Sequence, residues 1–174
     1  MKMKMTIHVV ALVFTLFLLA GSLHAQTTNY KTYSVFLYSF TKYIEWPQDA
    51  REGDFVIAVV GNQKLLQEMQ TAVAGRKAGA QTIKVVEAKA VTDVSRVHMV
   101  FISDMKSGAT DDFVAHFKGK PVLVVTERDG LVKKGAGVSF LIADDNTLKF
   151  QLNEPALNEA RLKASSAIMA LAYR

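Results

Sequence analysis

The sequence predicts an α/β protein: a single-domain sandwich with a mostly parallel, partly mixed sheet flanked by helices. Three observations lead there. FVIAVV (55–60), VHMVFI (97–102) and PVLVVT (121–126) are unbroken apolar runs rich in β-branched residues, the pattern of strands buried on both faces of a parallel sheet. Segments with helical spacing lie between them, at about 62–74 and 108–118, as crossovers between parallel strands require. Near the end, GVSFLIA (137–143) and TLKFQLN (147–153) flank Asp144-Asp145-Asn146, which reads as an antiparallel hairpin at the sheet edge.

Residues 29–46 open the fold as a helix, with Tyr33, Phe36, Leu37, Phe40, Tyr43 and Ile44 on one face. Val35 and Lys42 fall off that face. Trp46, the single tryptophan, precedes Pro47, and a residue before proline is pushed out of helical geometry. A helix-to-strand corner is the expected result, with Trp46 as an apolar latch. TIKVVEA (82–88) supplies a further strand. In the hairpin, Phe140 and Ile142 should share a buried face, as should Leu148, Phe150 and Leu152. Asn153 then caps a last helix running to about residue 172, with Pro155 in its first turn. Leu157, Ala164, Ile168 and Leu171 form one stripe of it; Leu162, Met169 and Tyr173 form another. Ser165 and Ser166 read as small close-packing positions between the stripes.

The chain begins Met-Lys-Met-Lys-Met and continues into a short apolar run ending near Ala20. Two lysines, a run short for a bilayer and a small residue before a polar start predict a signal peptide over residues 1–25, cut after Ala25, with an uncleaved anchor helix as the alternative. Export follows, with residues 26–174 as one domain and no membrane span in the mature part. The formal charge of +5 falls by two when Lys2 and Lys4 leave with the leader. The remaining excess is scattered lysine, a solvated surface and not a nucleic-acid patch. Cysteine is absent, so packing alone must stabilise the fold.

Tests for chemistry fail one after another. His98 lies in a buried-looking strand and His116 on a helix, without metal-ligand spacing. Ser165 and Ser166 lack the strand-to-helix elbow of an activated nucleophile. Asp111-Asp112 reads as helix-start chemistry and Asp144-Asp145 as a turn. No cofactor motif is present. The carboxyl ends of the strands offer a weak ligand site from Asn62, Asp104 and Glu127, where open α/β sheets normally bind small molecules.

The motifs taken together are distinctive. SFTKYIEWP (39–47), FVIAVVG (55–61), VHMVFIS (97–103), PVLVVTE (121–127), GAGVSF (135–140), KFQLN (149–153) and RLKASSAIMALA (161–172) resemble, in order, the YfiR-like family of periplasmic regulatory proteins. The strand motifs are unspecific singly; the Trp-Pro segment, the asparagine and the Arg-Leu-x-x-Ser-Ser ending are specific. The resemblance implies regulation without catalysis. Its best-known members bind the periplasmic part of an inner-membrane diguanylate cyclase and lower cyclic-di-GMP synthesis, which affects biofilm formation. Similar domains also serve as sensory parts of membrane signalling proteins. The expected partner is therefore an inner-membrane receptor, a diguanylate cyclase or a sensor kinase, with a homodimer as a further contact. Lys42, Trp46 and exposed positions on the last helix are the candidate partner-binding residues. A disulfide switch of the kind known in the family has no thiol to act on here. The second reading is a periplasmic small-molecule sensor using Asn62, Asp104 and Glu127.

Overall fold

The computed structural model describes residues 29–173; the leader read from residues 1–25 lies outside them. Helix α1 (Tyr30–Tyr43) is followed by a two-residue strand, β1 (Ile44–Glu45). Strand β2 (Phe55–Val60) leads into helix α2 (Gln63–Ala72), then β3 (Lys77–Ala78) and β4 (Gln81–Ala88). Strand β5 (Met99–Ile102), a 3₁₀ turn and helix α3 (Thr110–Phe117) precede β6 (Leu123–Thr126). The chain closes with β7 (Val138–Ile142), β8 (Leu148–Leu152), α4 (Glu154–Glu159), β9 (Lys163–Ala164) and α5 (Ser166–Leu171).

The main sheet has seven strands in the order β3-β4-β2-β5-β6-β7-β8. Its five central strands are parallel, and both edges, β3 and β8, are antiparallel. The apolar runs form its centre because a residue there is covered on either face. Ile57, Val59, Met99, Phe101, Leu123 and Val125 join one core with α1 and α2, while Ala58, Val60, Val100, Ile102 and Val124 join the other with Phe113 and Phe117 of α3. The mixed α/β sandwich read from the sequence is the architecture found.

The first core is aromatic. Tyr33, Phe36 and Phe40 of α1 meet Phe140 of β7 at ring-centroid distances of 4.7, 5.9 and 6.1 Å, and Phe150 of β8 meets Phe36 and Phe40 at 5.5 and 5.2 Å. All but the tilted Phe40–Phe140 pair meet edge-on, and such contacts add about 0.5–1.5 kcal/mol each beyond area burial. They fix α1 across the sheet, with its first turns over the carboxyl ends of the strands and its last turn over the amino ends.

Four sequence expectations change. The opening helix stops at Tyr43, and Tyr43 is 44 % exposed instead of core-facing; the chain unwinds there because Ile44 and Glu45 pair with Ala164 and Lys163. Ile142 is 55 % exposed, since it lies at the outer end of β7, past the aromatic cluster. The continuous last helix does not form. Helix α4 ends in a Schellman motif, with Leu162 N–H donating to Leu157 O at 2.8 Å and Arg161 N–H to Asn158 O at 2.9 Å. Arg161 occupies the left-handed position at φ +57°, where glycine is the usual residue. Strand β9 follows, and Ser165 is the cap of α5, its Oγ accepting from Ile168 N–H at 3.4 Å. The two apolar stripes therefore dissolve: Leu157, Leu162 and Ile168 are buried, whereas Leu171 and Tyr173 are exposed.

Candidate functional site

The corner after α1 is built around Trp46 and His98. Trp46 is 5 % exposed, packs edge-on against Phe55 at 4.8 Å and donates its indole N–H to His98 O at 3.3 Å. The His98 ring stacks on Phe55 at 4.6 Å. Its Nδ1 accepts from Val56 N–H at 3.0 Å, and its Nε2 contacts Ala50 O at 2.7 Å. A backbone N–H can only donate and a carbonyl can only accept, so the neutral ring carries its proton on Nε2. Burial holds the imidazole pKa below its ordinary value, with Arg96 acting in the same direction and the Ala50 bond opposing. Gln81 completes the corner, its amide reaching Ala50, Glu52 and Gly53 carbonyls, each at 3.3 Å. His98 is thus a satisfied core histidine, as its sequence context suggested.

This corner walls an open groove of ≈ 940 Å³. Trp46 and Phe55 line it with Ile44, and the β3–β4 turn at Gly79-Ala80 and strand β9 contribute further walls. Lys42, Arg51, Glu45 and Lys163 are its charged residues. Arg51 is committed: it bonds Trp46 O through Nε at 2.9 Å and Glu45 at 2.8 Å. Lys42 sits over the Tyr38 ring at 4.4 Å, and Arg76 lies over the same ring at 4.7 Å. Among the described residues no carboxylate pairs with Lys42 or Lys163. The two candidates Lys42 and Trp46 are therefore brought to one surface feature, Trp46 as an apolar wall and Lys42 as an exposed rim. Arg51 was missed, and Lys163 was covered only by the expectation of exposed positions on the last helix, a helix that does not form there. Lys163 reaches the groove only through the β1–β9 pairing, and no local pattern signals that contact.

The other candidate group lies at the carboxyl ends of the strands. β2 is flanked by β4 on one side and β5 on the other, so the topological switch point falls between the turns after β2 and β5. Asp104 and Glu127 do meet there: Asp104 N–H donates to Glu127 Oε2 at 2.9 Å, and Arg128 Nε donates to Asp104 Oδ1 at 2.6 Å. Asn62 does not join them, because its Oδ1 accepts from Leu65 N–H at 2.9 Å as the cap of α2. Gly61 adopts φ +74°, and a Cβ there would meet the Lys106 side chain and come within 2.8 Å of Ser103 Oγ. The Lys106 side chain occupies the space directly above Gly61. Burial chiefly, with Glu127, Tyr30 and Asp104 adding, pushes the nearby Tyr33 hydroxyl pKa well above the phenol range; Tyr33 stays neutral.

No group of three or more His, Asp or Glu side chains among the described residues could hold a metal ion. Likewise, no helix among them is long and apolar enough to cross a membrane. No curated protein matches the chain. A family model described as YfiR/HmsC-like matches residues 30–173, from the first residue of α1 to the end of the described chain. Its span takes in both the Trp46 corner and the β9–α5 ending that packs on it, and the protein belongs to the YfiR/HmsC-like family.

Proposed function

We propose that this protein is a periplasmic signalling regulator, exported by a leader cut after Ala25. It binds the periplasmic part of an inner-membrane receptor and holds that receptor in its inactive state. The receptor favoured by the family is a diguanylate cyclase, so the protein lowers cyclic-di-GMP synthesis and thereby biofilm formation. Membership of the YfiR/HmsC-like family over residues 30–173 is the observation that carries this reading. The groove beside Lys42 and Trp46 is its contact surface: Lys42 makes the direct contact, and Trp46 shapes the wall behind it.

Regulation of this kind needs no reacting group. A partner that prefers one of two receptor states by about 2–3 kcal/mol shifts their ratio about 30–150-fold. Such a difference is within reach of a surface that pairs an apolar wall with unpaired cations.

The test is crosslinking in intact cells followed by recovery of the tagged protein from the membrane fraction. A receptor with a periplasmic domain should co-purify, and deletion of this protein should raise cellular cyclic-di-GMP. Recovery of no membrane protein, together with unchanged cyclic-di-GMP, would overturn the reading.

A further inference from the structure

The groove has a chemistry more specific than a general contact surface. Trp46, Phe55, Ile44, Ala78 and Ala164 give it apolar walls. Its charged lining comprises Lys42, Arg51 and Lys163 against Glu45 alone, and Glu45 is neutralised by Arg51. Among the described residues two cations are left without a carboxylate, on opposite elements: Lys42 from α1, which rests on the Tyr38 ring, and Lys163 from β9. The walls also include a strand edge. Among the described residues β3 pairs only with β4, so it presents backbone to one side without a strand neighbour, whereas Ile44 of β1 already donates its N–H to Phe40 O.

We propose that this groove holds an extended acidic segment of a partner protein. An apolar side chain of the segment packs on Trp46 and Phe55, while carboxylates on either side of it pair with Lys42 and Lys163. An extended peptide suits strand edges because its own N–H and C=O groups can join them, and pockets at alternate residues then select side chains. Charge complementarity chooses acidic over basic sequences and speeds encounter at low salt. The proposal rests on the reading of the protein as a regulator that works by protein contact, and it names the partner chemistry.

Two other occupants fit less well. Residues 1–28 of this chain contain no aspartate or glutamate, so they cannot supply the carboxylates. A second copy could offer the β7–β8 turn, where Asp144 and Asp145 follow the exposed Ile142. Asp145, however, is already bound by Thr147, whose N–H donates to its Oδ1 at 3.0 Å.

The experiment uses a fluorescein-labelled peptide with glutamates flanking one leucine, titrated against the purified protein by anisotropy. A version with glutamine in place of each glutamate is titrated in parallel. The acidic peptide should bind about tenfold or more tightly than its glutamine form, with affinity falling as salt rises. The Lys42→Glu/Lys163→Glu variant should lose that preference while still unfolding in one cooperative transition, with a slightly lower melting temperature because the new carboxylate at position 163 faces Glu45 across the β1–β9 pair. A Lys89→Glu/Lys133→Glu variant, with the same charge change outside the groove, should keep it. Equal binding of the two peptides, or an unchanged Lys42→Glu/Lys163→Glu variant, overturns the proposal. A photocrosslinker at Tyr43 in intact cells separates the two levels. If a membrane receptor is captured there but the peptides show no acidic preference, the acidic segment is wrong and the regulator stands. If the preference is found but no receptor is captured at any surface position, the regulator is wrong. If the capture at Tyr43 is a second copy, and Asp144→Asn/Asp145→Asn abolishes it, self-association replaces the proposal.

Discussion

The two ends of the sheet carry similar side chains to opposite effect. At the carboxyl ends, Asp104, Glu127 and Arg128 bond one another, Asn62 is spent on its helix cap, and Lys106 fills the space above Gly61. At the amino ends, Lys42 and Lys163 face an open groove with no carboxylate partner among the described residues. Open α/β sheets generally use the carboxyl end for ligands, because helix N-termini and diverging loops meet there. Here the charged side chains at that end are paired with one another. The unsatisfied surface is at the other end, where α1 finishes and the β1–β9 ribbon is added to the basic fold. A fold rule locates crevices; the pairing of individual side chains decides which of them remains open.

This contrast can be broken by substitution, and the largest effect should come from the groove wall. Trp46→Ala should destabilise the protein by about 3–5 kcal/mol, because it leaves a cavity against Phe55 and removes the bond to His98 O. Urea unfolding reads this out. A loss below about 1 kcal/mol would mean that the wall is not part of the core.

His98→Leu comes next. It leaves Val56 N–H without its ring acceptor and Ala50 O with only its Gln81 bond, a cost of about 1–3 kcal/mol for the N–H if water cannot reach it. The same residue gives the corner a pH dependence with a defined sign. Its folded pKa is depressed, so in acid the unfolded chain takes up the proton first. His98 therefore carries no penalty above the ordinary imidazole value of about 6.5, and stability is lost as pH falls from there through the folded value. Protonation would also turn the Nδ1 acceptor into a donor facing Val56 N–H. Unfolding midpoints between pH 8 and pH 5 should fall in the natural protein and fall less in His98→Leu; parallel slopes would clear His98 of the effect.

At the carboxyl end the effects should be smaller. Gly61→Ala should cost at least about 1–2 kcal/mol for the left-handed backbone alone, with the clash against Lys106 added. A loss in urea unfolding no larger than the left-handed backbone cost of about 1–2 kcal/mol would show that Lys106 moves aside freely; a larger one would show that it does not. Arg128→Ala should leave the melting temperature essentially unchanged, because its pair with Asp104 is solvent-exposed. A clear drop would mean that the carboxyl end depends on this pair more than its exposure suggests.

Much of the fold was legible because it is written in local patterns. The strands of the parallel centre appear as unbroken apolar runs, Asn153 announces α4 as its cap, and Asp144-Asp145-Asn146 announces the hairpin turn; Asn62, read as a ligand group, proves to be the cap of α2. The end of the chain was not legible. Leu157, Ala164 and Ile168 repeat at helical spacing, and the residue that breaks the helix is Arg161, which carries no terminator signal of the kind glycine gives. The candidate site divides the same way. Lys42 and Trp46 could be singled out from one short segment, whereas Lys163 and Arg51 join them only in three dimensions.

The sequence by itself determined the sheet, the helices over its two faces, the latch at Trp46 and the family, because period, caps and turn residues are properties of neighbouring positions. Only the tertiary structure decided where the surface stays unsatisfied. Strand β9 exists because β1 is there to pair with it, and Arg161 holds a left-handed conformation because the buried Leu157 and Leu162 close the motif around it. The two uncompensated lysines meet at one groove through that pairing, a contact between residues more than a hundred positions apart that no local pattern encodes.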